Sequence, residues 1–297
     1  MLKYVVLTHK HLSKVYKLNA RRHCLCTVGE LVHTLPEGGL VWGVTLLTGE
    51  LYLVRRKGRD QVEVYNIINF RLLRRLTVPD IGSVTDMTSC SHYNCVYIGD
   101  VNGKCVHRLD AQGAFTRWTV SDAPEGLSVN TSHNVIVACS FVRKIKEFSS
   151  HGDLLWEITL PSSFIHLRHA IQTHSGQFIV CHGNYGDPVH RVCMIRADGR
   201  RIVHSHGGQR GSDTGQYNGP VRLAVDDNEF VFVVDVLNRR VTLLSPTLEY
   251  VRQVISHNEL KWEPNRVYLD TQQRRLYVAV HESIDNEYKG RVAVFSV

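Results

Sequence analysis

No uninterrupted apolar run in these 297 residues approaches the roughly 18 that a membrane-spanning helix needs, so no membrane partner is expected. Met1 to Lys14 lacks the contiguous apolar core, followed by small residues, that marks a signal peptide, and a cytoplasmic location is the expectation. Paired cysteines are missing too. Cys24, Cys26, Cys90, Cys95, Cys105, Cys139, Cys181 and Cys193 are scattered without a CxxC motif, which argues against a zinc ribbon or a disulfide framework. Buried, reduced thiols are expected instead, and they fit the cytosol. There is no Gly-x-Ser-x-Gly elbow. Gly207-Gly208-Gln209-Arg210-Gly211 is no phosphate loop, because the Lys-Ser/Thr ending and a following helix are both lacking. Neither a metal nor another cofactor is expected.

What the chain has is repetition. Short β-rich segments recur, and the apolar residue anchoring the first strand of each unit makes the period visible: Val44, Met87, Leu127, Ala170, Leu223 and Val267. The spacings are 43, 40, 43, 53 and 44 residues. A sustained period near 43 with four strands per unit predicts an all-β propeller of six blades. The expected blades lie near 41–79, 83–122, 124–161, 165–206, 217–256 and 263–297. The last lacks an outer strand, which residues 24–29 can supply, closing the ring and protecting its edges. One propeller domain over 24–297 is therefore expected, after an N-terminal extension over 1–23. Tyr4 to Leu7 and Val15 to Leu18 also look like strands, so a seventh, incomplete blade is the alternative.

The fullest unit runs from Gly215 to Ile255. Gly219-Pro220 signals a turn, and Asp226-Asp227-Asn228 is a second turn after a short strand. Phe230 to Val234 is a β-branched and aromatic run, as expected for a strand buried on both faces. A third turn from Asp235 to Arg239 leads to a strand over Arg240 to Leu244. After Ser245-Pro246, a more polar outer strand ends the unit.

This unit resembles the NHL repeat. Gly215-Gln216-Tyr217-Asn218-Gly219-Pro220, then Leu223-Ala224-Val225-Asp226, then Asp235-Val236-Leu237-Asn238-Arg239-Arg240 follow that family's Gly-rich loop, AVD strand and D-x-x-N-x-R hairpin. In that hairpin Arg240 can hydrogen-bond back to Asp235. The other units keep the strand pattern and lose most of the polar signature. The second retains Asp100 and Asn102-Gly103. The resemblance implies a six-bladed propeller acting as a non-catalytic binding surface, as in tripartite-motif ubiquitin ligases, some of which bind RNA on the more basic face. No RING, B-box or coiled coil accompanies it, so ligase activity does not carry over.

The residue before each anchor should ring the channel mouth: Gly43, Asp86, Gly126, His169, Arg222 and Arg266. One step earlier stand Trp42, Thr85, Glu125, Arg168, Val221 and Asn265. Turns on that face add Arg55, Arg56, Lys57, Arg59, Arg143, Lys144 and Arg239, with Phe141, Tyr185 and Tyr217 nearby in sequence. The candidate binding set is Trp42, Arg55, Arg56, Arg59, Asp86, Arg168, His169, Arg222, Arg239 and Arg266. With 35 basic residues against 28 acidic and a net charge of +7, an anionic partner is favoured. The leading expectation is a non-catalytic scaffold that engages a protein or peptide there. Single-stranded RNA, held by phosphate contacts and base stacking, is the alternative. A metal-dependent hydrolase or lyase is the third reading. The ring speaks against it, since Asp86 and Glu125 face Arg222 and Arg266, and His169 is its one histidine.

Overall fold

The computed structural model describes residues 29–55, 61–284 and 287–297 and shows six four-stranded antiparallel sheets arranged as a propeller. Strand β1 (Glu30–Thr34) comes first and belongs to the last blade. Blade 1 is β2 (Val41–Leu47), β3 (Glu50–Arg55), β4 (Gln61–Asn66) and β5 (Leu72–Thr77). Blade 2 is β6 (Val84–Cys90), β7 (Cys95–Asp100), β8 (Cys105–Asp110) and β9 (Phe115–Thr119). Blade 3 is β10 (Pro124–Val129), β11 (Val135–Cys139), β12 (Lys144–Phe148) and β13 (Leu154–Thr159). Blade 4 is β14 (Leu167–Gln172), β15 (Phe178–His182), β16 (Val189–Ile195) and β17 (Ile202–Gln209). Blade 5 is β18 (Pro220–Val225), β19 (Val231–Asp235), β20 (Arg240–Leu244) and β21 (Tyr250–Ile255). After one helical turn, α1 (His257–Leu260), blade 6 is β22 (Glu263–Asp270), β23 (Arg275–Ile284) and β24 (Glu287–Ser296), with β1 outermost.

The strand patterns follow from position in the blade. Second strands such as β11 (VIVAC) and β19 (VFVVD) are buried along their whole length, because neighbouring blades cover both faces. Fourth strands such as β5 and β13 alternate between exposed and half-buried residues, as a rim strand with one wet face should. Six apolar clusters fill the six spaces between blades. Leu47, Tyr52, Val54, Met87 and Ile98 join blades 1 and 2, for example, and Phe232, Val234, Leu243, Leu276 and Val278 join blades 5 and 6. Turns are set by Asp and Asn. Asp226 Oδ1 accepts from the Asn228 and Phe230 amides, and Asp110 Oδ1 accepts in the same way from Gln112 and Ala114.

The ring closes on an N-terminal strand, as the period requires. The closing strand is Glu30–Thr34, paired antiparallel with β24 from Glu30↔Ser296 to Thr34↔Ala293. Cys24 to Val28, the stretch expected to do this, and the strand-like Tyr4 to Leu7 and Val15 to Leu18 lie outside the described residues. A Gly38–Gly290 bridge adds to the seam. The six described cysteines are free and buried.

Candidate functional site

Each first strand carries the same irregularity. The register between first and second strands slips at Val41/Gly43, Val84/Asp86, Pro124/Gly126, Leu167/His169, Pro220/Arg222 and Pro264/Arg266. Six β-bulges therefore sit at Trp42, Thr85, Glu125, Arg168, Val221 and Asn265. A bulge leaves its residue out of the ladder, and at the channel six carbonyls need other donors.

Two arginines supply them. Arg222 Nη2 donates to the carbonyls of Thr85 (2.7 Å) and Glu125 (2.8 Å), and Nη1 to those of Val221 (2.7 Å) and Arg168 (3.3 Å). Arg266 Nε donates to Trp42 O at 2.9 Å, Nη1 to Asn265 O at 2.6 Å, and Nη2 to Thr85 O. Every bulged carbonyl is thus satisfied, and the two guanidiniums tie all six blades together at the axis. Asp86 lies between them, 3.1 Å from Arg222 Nε and 3.6 Å from Arg266 Nε, and accepts from the Met87 and Leu127 amides. Two glycines make the necessary room. A Cβ on Gly43 would stand 2.5 Å from Met87 Cβ, and one on Gly126 would stand 2.5 Å from Arg168 O.

The predicted channel column converges as expected, but as an internal hub and not as an exposed basic ring. Arg222 and Arg266 are 2% and 3% exposed, so neither offers a charge to a partner. The physical reason is the bulge, which turns carbonyls inward and draws the cations after them. His169 joins the hub with Nε2 against Leu127 O at 2.9 Å, and burial pushes its pKa down to about 4. Burial, then the neighbouring Arg222, lowers Arg266 as well. Trp42 stacks its ring on Arg266 at 5.0 Å, and Arg168 pairs with Glu125 at 3.1 Å, both at the head of the hub. Beneath the hub a cavity of about 270 Å³, lined by Val44, Met87, Leu127, Leu223 and Val267 among others, follows the first strands toward the opposite face.

The remaining candidates separate. Arg55 is 8% exposed and structural: Nε meets Glu63 at 2.9 Å, and its Nη atoms donate to the carbonyls of Pro36, Gly39 and Gly290. It locks blade 1 to the ring seam. Arg56 and Arg59 lie outside the described residues. Arg239 is exposed, on the turn before β20. Tyr217, grouped with this face by sequence proximity, is 1% exposed in the core between blades 4 and 5.

An accessible patch does exist on the face where the first strands begin. Phe141 and Tyr185, on the turns after β11 and β15, are 74% and 76% exposed. His166 connects them, its ring edge-on to Phe141 at 6.3 Å and its Nδ1 2.7 Å from Asp187 Oδ2. Arg210 lies over the Tyr185 ring at 5.5 Å. The sequence offered both aromatic residues only as neighbours of a basic column. Their exposure was recoverable from one signal: an aromatic residue inside a tight turn has no strand face to hide on.

No family model matches the chain, and no curated protein matches it. Solved structures do. Selenomethionine-substituted virginiamycin B lyase from Staphylococcus aureus aligns with a TM-score of 0.61 at 11% identity, over 88% of this chain and 98% of that one. A streptogramin B lyase structure gives a TM-score of 0.62 at 11% identity, over 91% and 86%. Kuenenia stuttgartiensis hydrazine synthase gives 0.61 at 14% identity, over 84% and 78%. The class is therefore a six-bladed β-propeller. The expectation that the chain is not an enzyme is overturned here, because the propeller frame it shares is that of lyases and carries no argument for a catalytically silent chain. At these identities the likeness is one of fold alone.

Proposed function

We propose that this NHL-like propeller engages a protein partner through the face where its first strands begin, by way of the patch built from Phe141, Tyr185, His166 and Arg210. The observation that carries this reading is the pair of aromatic side chains about three-quarters exposed on the turns of adjacent blades. Exposed aromatic residues beside an arginine are the composition of an interface hot spot, since they bury large area at little entropic cost. The occupant that fits is an extended peptide segment with apolar side chains and carboxylates. The apolar groups would pack on the two rings, and the acidic groups would meet Arg210 and the chain's net charge of +7. The blade 5 hairpin supports the NHL likeness, with Arg240 Nε on Asp235 Oδ2 at 2.8 Å and Asn238 Nδ2 on the same oxygen at 2.7 Å.

Peptides selected from a displayed random library against the whole protein test this directly by fluorescence anisotropy. Selected sequences should be acidic and apolar, and Phe141→Ala with Tyr185→Ala should weaken them by more than tenfold. Equal affinity for the wild type and the double variant would remove the reading. Tighter binding of single-stranded RNA, with an affinity falling steeply as salt rises, would replace the peptide by RNA.

A further inference from the structure

In blades 5 and 1 the last residue of the second strand forms a buried polar clip with an oppositely charged side chain on the third strand. In blade 5 the clip is Asp235 with Arg240, directly across the ladder, and Asn238 from the turn. In blade 1 its polarity is reversed, as Arg55 with Glu63. Blade 3 has Cys139 at that place instead, and its buried Lys146, opposite Val137, reaches Asp122 at 2.8 Å. Blade 2 departs from all of these. Asp100 holds the position of Asp235 and is 1% exposed, but Cys105 stands across the ladder where Arg240 would be, and Gly103 replaces Asn238. Among the described residues no arginine or lysine pairs with this carboxylate. Its neighbours are His107 Nε2, 3.4 Å from Oδ2, and Cys105 Sγ, itself 3.3 Å from the same ring nitrogen.

We propose that Asp100, Cys105 and His107 form a binding site for a zinc-like divalent cation, which takes the place of the missing clip cation in blade 2. The three ligand atoms all lie within 4.8 Å of one another. The separations of 3.3 Å and 3.4 Å match the edge of a tetrahedron whose bonds are about 2.0–2.3 Å, the range for zinc with nitrogen, oxygen and sulfur. A thiolate, an imidazole and one carboxylate form a donor set of borderline softness that suits this ion. Their charges, one thiolate and one carboxylate, cancel a dication, just as Arg240 cancels Asp235.

The carboxylate has a free position. Oδ1 accepts from the Ser83 and Gly103 amides, and Oδ2 accepts one amide, from Gly82 at 2.7 Å. The remaining side of Oδ2 faces His107. Space has been left as well. A Cβ on Gly103 would stand 2.8 Å from Asp100 Oδ2 and 3.0 Å from Cys105 Sγ. Gly103 does not have a left-handed backbone, so its missing side chain answers to clearance rather than to turn geometry. It is exposed, so the cluster lies directly beneath a surface turn through which an ion can enter. His107 Nδ1 is buried without a partner, so it can take the ring proton that Nε2 otherwise directs at Asp100 Oδ2, which frees Nε2 as a ligand. Binding converts the Cys105 thiol to thiolate with the release of one proton. Because that proton must leave, binding strengthens as pH rises.

The test is titration of the purified full chain with cobalt(II), followed by displacement with zinc. The expected result is one cobalt per chain, a thiolate-to-cobalt absorption band in the near ultraviolet, and loss of that band on adding zinc. Cys105→Ser should abolish the band. Cys193→Ser should keep it, because its thiol lies 3.9 Å from His182 and no carboxylate among the described residues completes a set. Gly103→Ala guards against a folding artefact. It changes an exposed turn, and it should keep the far-ultraviolet circular dichroism of the wild type while losing cobalt. A folded wild type that takes up no stoichiometric cobalt overturns the proposal, as does a charge-transfer band that survives Cys105→Ser.

Discussion

At the scale of single residues, the centre of the propeller depends on two arginines whose role is architectural. Arg222 and Arg266 donate to carbonyls of all six blades and share Asp86. Removing a guanidinium leaves inward-turned carbonyls unpaired and Asp86 undercompensated. Arg222→Met should cost roughly 3–5 kcal/mol in urea unfolding, the range for breaking a buried pair. Arg222→Lys should recover little of it, because one ammonium cannot reach four carbonyls on four strands. Buried histidines add a pH dependence. Burial lowers both His169 and His182 to about 4 from an ordinary value near 6.5. Between those limits the unfolded chain binds more protons than the folded one, so stability falls as pH falls through that window. Each histidine should cost roughly 2 kcal/mol at pH 5 relative to pH 7, given about 1.4 kcal/mol per unit of pH. Unfolding curves at the two pH values should show His169→Gln and His182→Gln each flattening the dependence.

At the scale of the element, the blade hairpin shows how far a sequence motif can be read. Asp235, Asn238 and Arg240 form the contacts that their residue types imply, and they also hold the Gly-rich connector, with Arg240 donating to Ser212 O and Gln216 O. The equivalent places elsewhere were hard to recognise, because the repeat keeps the place and not the residue: arginine in blade 1, aspartate in blade 2, cysteine in blade 3, histidine in blade 4. Arg55 looked like a surface cation for this reason. Burial raises the Asp235 carboxyl despite its hydrogen bonds, so the pair with Arg240 matters most when the carboxyl is charged. Arg240→Ala should therefore cost about 3 kcal/mol at neutral pH. The deficit should shrink as pH is lowered and Asp235 takes up a proton, which parallel denaturation at pH 7 and pH 4.5 would reveal.

At the scale of the whole molecule, stability rests on closing the ring. Six inter-blade cores make each blade dependent on both neighbours, and the ring is closed inside blade 6, where strands from the two ends of the described chain meet. There β1 pairs with β24, the Gly38–Gly290 bridge follows, and Arg55 reaches across to Gly290 O. A chain beginning at Leu35 should melt several degrees below one beginning at Gly29 and elute with aggregates in size-exclusion chromatography, because β24 becomes an unpaired edge. Equal melting of the two would show that the seam contributes little. The sequence by itself determined the four-stranded repeat, its order along the chain and the column of residues that meets at the axis, and left six or seven blades open, because period and alternation are local properties of a chain. Only the tertiary structure decided that this column is a buried hub, that Arg55 is a clip, and that Phe141 and Tyr185 are what the molecule presents. Exposure at the end of a strand depends on which carbonyls a bulge turns inward and which residue another blade brings to meet them, and no spacing in the sequence records that.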